Sequence, residues 1–476
     1  MTAVPRTLTE AASALRSGAV TSRELTEQSI ASADRSDPEL GVYLHRFDDY
    51  ALATSDAADA ELAAGVDRGP LHGIPFGVKD ILAMAEGPTT AQSTVLDPGW
   101  GAGKDAPVVA RLKQAGAVIT GKTSTMEFAC GMPDESKHFP VPRNPWDPST
   151  WPGGSSSGTG GGVASGMFLA GLGTDTGGSI RIPAAFCGIT GLMPTFGRVP
   201  KSGCVPLGYS LDHIGPMARS AQDCAAVLEV IAGPHASDPN CVDAPFPAPS
   251  WPDDLAGLRV GVVRDHHFPA GGDPALPGAF DATVALLTEA GASLTPVALP
   301  YWHEMITADL LTMGCEALAY HRTDAQTRWT DYYPATRAML AQGALVSGAD
   351  YVQAQRMRRV AQDALRRMFE NIDVIVCPTS SIAAPPLDQY LSGETDVIAT
   401  LFEHLHTPYW DTVGNPVLAL PMGFNADGMP LSVQLAGRPF EEAGLLRVGQ
   451  LLQTRTDWHL RMPELGKAAE STELAA

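Results

Sequence analysis

Two serine-bearing glycine turns carry the chemistry that this sequence offers: Gly153-Gly154-Ser155-Ser156-Ser157-Gly158 and Asp175-Thr176-Gly177-Gly178-Ser179-Ile180-Arg181. Glycines beside a serine let successive backbone N–H groups converge on one point, as an oxyanion hole requires. Thr176, Gly177, Gly178 and Ser179 are placed to supply such groups around the Ser179 hydroxyl. A serine hydroxyl is a weak nucleophile and needs an adjacent base. The upstream candidate is Lys79, which closes the apolar run Ile74-Pro75-Phe76-Gly77-Val78. A lysine at the end of a buried strand is costly when charged, and desolvation lowers its pKa by up to roughly 3–5 units.

Other motif matches fail on physical grounds. The segment Gly116 to Thr123 spells GxxxxGK[ST], yet its central Val118-Ile119-Thr120 is strand-like where a phosphate loop must be a loop. Gly154-Ser155-Ser156-Ser157-Gly158 spells GxSxG, but no buried strand precedes it, as a nucleophile elbow demands. Gly171-Leu172-Gly173 lacks the third glycine of a dinucleotide fingerprint. Cys130, Cys187, Cys204, Cys224, Cys241, Cys315 and Cys377 form no CxxC pair and read as buried thiols. Most of the twelve histidines read as solvated or as satisfied core residues, with His213 the one most easily mistaken for a base.

The elements that must position these residues alternate. Thr7-Leu8-Thr9-Glu10 opens a helix that Gly18 closes, and Thr21 to Glu24 has capping-box spacing. Strands are expected at Ile74 to Val78, Ala117 to Thr120, Leu258 to Val263 and Val374 to Cys377, with a helix over Val108 to Ala115. A hairpin is expected around Asp427-Gly428, from Val417 to Leu420 and Leu431 to Leu435. Between Gly153 and Gly191 apolar residues interrupt a glycine-rich run, which reads as a packed helix and turns rather than a linker. Segment 234–257 reads as a surface loop and 464–476 as a frayed acidic tail. The whole predicts an α/β fold, a mixed sheet of about ten strands wrapped by helices, in one domain.

Composition limits function. A 44% apolar and 18% charged chain of 476 residues is globular, and its net charge of −21 with seven lysines argues against a general nucleic-acid binder. No apolar stretch is long enough to cross a bilayer and the start lacks a signal-peptide core, so a cytoplasmic location away from membranes is expected.

The sequence resembles the amidase signature hydrolases over most of its length. Gly69 to Asp80 looks like the family's lysine segment, and Gly116 to Phe128 like a family strand–turn, which accounts for the false phosphate loop. Asn144-Pro145-Trp146 leads into the serine-rich turn, and Gly173 to Pro200 is the most specific match. DVIVCPT, GNPVLALPMGF and DGMPLSVQLAGRPFEEAGLL also fit. The resemblance implies a Ser-cisSer-Lys triad: Ser179 forms the acyl-enzyme, Ser155 bridges behind a cis Gly154–Ser155 peptide, and Lys79 is the base. It also implies an oxyanion hole at Thr176, Gly177 and Gly178, a structural or orienting role for Asp175, Ala129 beside the substrate, and no cofactor or metal. The signature core is expected to span about 70–220 and the 300–410 region to roof the substrate cavity; Trp302, Tyr320, Phe402, Tyr409 and Trp410 read as core aromatics, with some of them lining a pocket as the alternative.

The implied activity is hydrolysis of the C–N bond of a small linear amide, with carbamates and esters as further substrates. The rival within the family is the glutaminase subunit of a tRNA-dependent amidotransferase, against which Ile182 stands where that subunit usually has glutamine. The rivals outside it are a non-catalytic binding protein with a degenerate site and a Ser-His-Asp esterase using Ser156. Met193 in place of the common lysine and Trp151 before the Pro-Gly-Gly turn are departures that leave the triad positions intact. The partner is a small-molecule amide, and a homodimer is the assembly allowed for.

Overall fold

The first two helices begin where the sequence writes their caps. In the computed structural model, which describes residues 5–391 and 395–465, Thr7 and Glu10 close one capping box and Thr21 and Glu24 another, each satisfying backbone donors that a helix start leaves open. Gly18 ends the first helix in the left-handed conformation.

Eleven strands form one mixed sheet: β1 (Tyr43–Arg46), β2 (Pro75–Lys79), β3 (Val118–Thr123), β4 (Ala170–Asp175), β5 (Thr190–Met193), β6 (His213–Ala218), β7 (Arg259–Val262), β8 (Ser293–Pro296), β9 (Val374–Pro378), β10 (Val417–Phe424) and β11 (Pro430–Gly437). Their order across the sheet is β1-β3-β2-β4-β6-β5-β10-β11-β9-β7-β8. Each expected strand is there within a few residues, the expected helix is Pro107–Gln114, and β10 and β11 pair antiparallel as the hairpin. Segment 234–257 is irregular, as expected. The tail beyond Leu465 lies outside the described residues.

The glycine-rich stretch holds more regular structure than its composition suggests. It contains the helix Ser157–Ser165, the buried strand β4 and the helix Arg181–Cys187. Three consecutive glycines are poor helix formers, at up to about 1 kcal/mol each relative to alanine. Packing overrides that cost. A Cβ at Gly162 would come within 2.2 Å of the Phe168 ring, and one at Gly77 within 2.5 Å, so only glycine lets that ring sit between helix and sheet. Strand β4 was not expected because Ala-Gly-Leu-Gly-Thr-Asp lacks β-branched alternation, and its burial comes wholly from its neighbours.

Those neighbours set the site. β2 runs parallel to both β3 and β4, with Lys79 opposite Thr123 and Val78 opposite Leu172. Both β2 and β4 therefore end on the same edge, which brings Lys79 next to Thr174 and Asp175. No helix among the described residues is long and apolar enough to cross a membrane.

The buried rings of His267 and His406 lie 4.4 Å apart, and neither Nε2 has a hydrogen-bond partner among the described residues. Burial lowers His267 from 6.5 to about 4 and pushes His406 down further. Because the unfolded chain then takes up protons first, stability present above pH 6.5 should be lost as pH falls toward 4. His267 alone accounts for about 3 kcal/mol of that loss. Thermal melts between pH 4 and 7.5 should show the decline, and His267→Gln should make it shallower without abolishing it, because His406 and other buried histidines are depressed in the same direction.

Candidate functional site

Lys79 has no exposed surface, and its Nζ lies 2.7 Å from Ser155 Oγ, 2.7 Å from Thr174 Oγ1 and 3.0 Å from Ser156 Oγ. Burial lowers its pKa from 10.5 to about 7, and the charges of Asp175 and Asp212 offset this only in part. Among the described residues four Lys and Arg side chains are fully buried, and three touch a carboxylate: Lys122 with Asp80 at 2.7 Å, Arg181 with Asp175 at 2.9 Å, and Arg198 with Glu442 at 2.9 Å. Lys79 touches only hydroxyls. An amine so placed is held near neutrality, and a neutral amine has two N–H donors and one lone pair. Ser156 Oγ already accepts the Thr174 N–H at 3.1 Å and donates to Thr174 O at 3.2 Å, so it can only accept from Nζ. The lone pair is left to Ser155 or Thr174.

Ser179 follows β4 on a turn that the buried carboxylate of Asp175 ties together. Asp175 accepts the N–H groups of Gly178 at 2.5 Å, Ile180 at 3.1 Å and Arg181 at 3.3 Å, and the Arg181 guanidinium forks onto it. Burial by itself would raise this carboxyl, but the charge and hydrogen bonds of Arg181 override it and hold it at about 2. Arg181 also reaches Asp411 and the carbonyl of Thr407, whose own hydroxyl donates to Gly177 O at 2.8 Å. At Gly178, with φ +130°, a Cβ would meet Thr407 Oγ1 at 2.1 Å, so the turn admits no side chain there. Within 171–180 only Gly177 and Ser179 are not fully buried.

Two expectations need correction here. All peptide bonds among the described residues are trans, Gly154–Ser155 included, and the chain turns through Gly153 at φ +92° and Gly154 at φ +54°. Two glycines in the left-handed region make the bend without the 3–4 kcal/mol of a cis bond. In this arrangement the Ser155 N–H, not its hydroxyl, donates to Ser179 Oγ, at 3.1 Å. Gly178 also departs from its expected part, because its N–H is spent on Asp175. Among the described residues the N–H groups of Thr176, Gly177 and Ser179 have no protein acceptor.

A cavity of about 310 Å³ opens onto Ser179 and Gly177. Met126, Met132, Met313, Met339, Cys130 and Phe402 give it an apolar, sulfur-rich wall, and Ala129 also lines it. The 300–410 region supplies Leu310, Met313, Met339, Leu401 and Phe402. No Lys, Arg, Asp, Glu or His is among the described residues that line it.

The family profile described as Amidase matches residues 24–446. The chain belongs to the amidase family. It is 38% identical over 97% of its length to a glutamyl-tRNA(Gln) amidotransferase subunit of Chloroflexus aggregans, covering 99% of that protein. It is likewise 38% identical over 96% of its length to a putative amidase of Mycobacterium tuberculosis, covering 95% of that protein. Among solved structures, the native peptide amidase of Stenotrophomonas maltophilia superposes with a TM-score of 0.83 at 30% identity, over 97% of this chain and 98% of that one.

Several residues of this amidase-family chain sit outside the parts that spelling alone suggests. Ser156, the serine of GxSxG, braces helix Ser157–Ser165 to β4. Lys122 of the false phosphate loop lies in β3 and pairs with Asp80. His213 is buried, burial pushes it down to about 3, and its nearest carboxylate, on Asp411, is 3.9 Å away. Of the five aromatic residues singled out, only Phe402 lines the cavity, whereas Trp302 stacks on Tyr409 in the core beside Trp410. Thr174 and Asp411 were missed. A signal for the network existed, since Asp175 and Arg181 are the only charged residues between 153 and 191. Arg181→Met would leave the Asp175 carboxylate buried and unpaired, and denaturant unfolding should show a loss of about 3–5 kcal/mol.

Proposed function

We propose that the protein hydrolyses the C–N bond of small amides through an acyl-enzyme on Ser179. The observation that carries this reading is the Lys79 amine, buried without a carboxylate and 2.7 Å from the hydroxyl of Ser155, whose own N–H meets Ser179 Oγ. Ser155 passes the Ser179 proton to the Lys79 lone pair as Ser179 Oγ attacks the carbonyl carbon. That transfer needs Ser155 Oγ to come within reach of Ser179 Oγ, a contact of the kind that tightens on substrate binding. The N–H groups of Thr176, Gly177 and Ser179 receive the developing oxyanion. The tetrahedral intermediate collapses, and the Lys79 proton returns through Ser155 to the departing amine nitrogen. Water then attacks the ester, giving up a proton to the same relay, and Ser179 recovers its own.

The cavity favours an uncharged, apolar substrate, and carbamates or esters fit the same tetrahedral chemistry. A second reading has one observation behind it: relatives named as glutamyl-tRNA(Gln) amidotransferase subunits share 37–40% identity with this chain. Free glutamine brings an α-ammonium and an α-carboxylate, which are costly to bury without charged partners, and the lining offers none. A panel of aryl and alkyl amides against glutamine separates the two readings, and preferential turnover of glutamine would reject the apolar assignment. A fluorophosphonate probe should label the protein but not Ser179→Ala. Absence of labelling in the unaltered protein would point to a non-catalytic binding role.

Because burial depresses Lys79 to about 7, the free base dominates above that pH. kcat/KM should therefore fall about tenfold per unit on the acid side of pH 7, and Ser179→Ala should lower kcat by about 10⁴-fold. A rate that stays flat from pH 5 to 9 with chemistry limiting would refute the base assignment.

A further inference from the structure

Helix Trp302–Thr327 carries a fully buried carboxyl, Asp309, directly behind the Ser179 turn. Its Oδ2 has no hydrogen-bond partner among the described residues. That oxygen lies 3.2 Å from where a Cβ would stand on Gly177, and Met313 Cε from the next helical turn lies 3.0 Å from the same point. The other oxygen, Oδ1, is 3.2 Å from Thr412 Oγ1. We propose that Asp309 is a positioning residue for the amide chemistry proposed above: its carboxyl, wedged between Thr412 and Gly177, holds the backbone donors of the turn aimed into the cavity.

The proton count around Thr412 says in which form it does so. The Thr412 hydroxyl has one proton and three acceptors in reach: Pro408 O at 2.9 Å, Met305 O at 3.0 Å and Asp309 Oδ1 at 3.2 Å. The conflict is resolved if Asp309 is a neutral acid that donates to Thr412 Oγ1, which frees the hydroxyl proton for a carbonyl. Burial acts in the same direction and raises Asp309 well above the usual carboxylate range. The charged groups facing it are Arg181 and Arg358, which favour ionisation, and Asp175 and Asp411, which oppose it. Gly177 has no side chain to brace it, and its carbonyl is held by Thr407 on the other side. Without the carboxyl the turn gains room to shift, and a misplacement of about 1 Å is enough to cost about a hundredfold in rate.

The test compares Asp309→Asn with Asp309→Ala, using kcat and KM on the best amide of the panel, the fluorophosphonate labelling rate and the melting temperature. Asparagine reproduces the shape and neutrality of the acid and should keep kcat within about threefold, whereas alanine should lower kcat and the labelling rate about 30-fold with KM little changed. Wild-type kcat in the alanine variant would overturn the proposal, and so would an asparagine variant as impaired as alanine. If alanine does not fold, Asp309→Ser and Gly177→Ala serve in its place. The Gly177 methyl must press on Asp309, so the two losses in the double variant should fall short of multiplying, and losses that multiply would overturn the coupling. A wild-type protein that the probe never labels would sink the Ser179 reading itself, an outcome separable from failure at Asp309.

Discussion

Holding an amine in a dry interior against hydroxyls alone is the constraint around which the rest of this structure is arranged. A charged ammonium there would lose its hydration without gaining a counter-ion, and the penalty is several kcal/mol. The protein meets that penalty by letting the Lys79 pKa drop toward neutrality rather than by supplying a carboxylate. The contrast with Lys122, one strand away, is instructive. It is equally buried, but Asp80 stands 2.7 Å from its Nζ and keeps a counter-charge in contact. Burial lowers both lysines, and what separates them is one neighbour, the carboxylate that Lys122 touches and Lys79 lacks.

The anionic side of the site follows the same logic with the sign reversed. Asp175 is ionised in the interior because Arg181 and three N–H groups surround it. That arrangement stiffens the Ser179 turn and uses up the Gly178 N–H, leaving the adjacent amides free. A further carboxyl, Asp411, leans on the same guanidinium, and Arg181 cannot neutralise both fully. The surplus acid is accommodated by burial, which raises Asp411 and Asp309 well above the carboxylate range. The turn therefore rests on one ion pair backed by acids held toward their neutral form.

Local signals and long-range signals were unequally readable. Thr7-Glu10, Thr21-Glu24 and Asp427-Gly428 act within a few residues, so their caps and turn could be read from the letters. Strand β4 could not, because its identity depends on β2 and β6 on either side. Ser155, Ser179 and Lys79 were legible as candidates, and the structure brings them together. Thr174, Asp309 and Asp411 were not, since a threonine or an aspartate carries no mark of its surroundings until the chain is folded.

What the sequence alone set out was a candidate chemistry and its candidate carriers: a lysine closing an apolar strand, and two glycine-flanked serines with an acid and an arginine about the second. These are matters of residue type and short spacing, and they survive without coordinates. Only the tertiary structure decided which lysine lacks a carboxylate, which N–H of the turn is already spent, and which acid stands behind it. Those are questions of dielectric and of distance, whether across 76 positions from Lys79 to Ser155, across 230 from Arg181 to Asp411, or across the three that the folded turn closes between Asp175 and Gly178. A linear string holds no information on either until packing has excluded water and placed the partners.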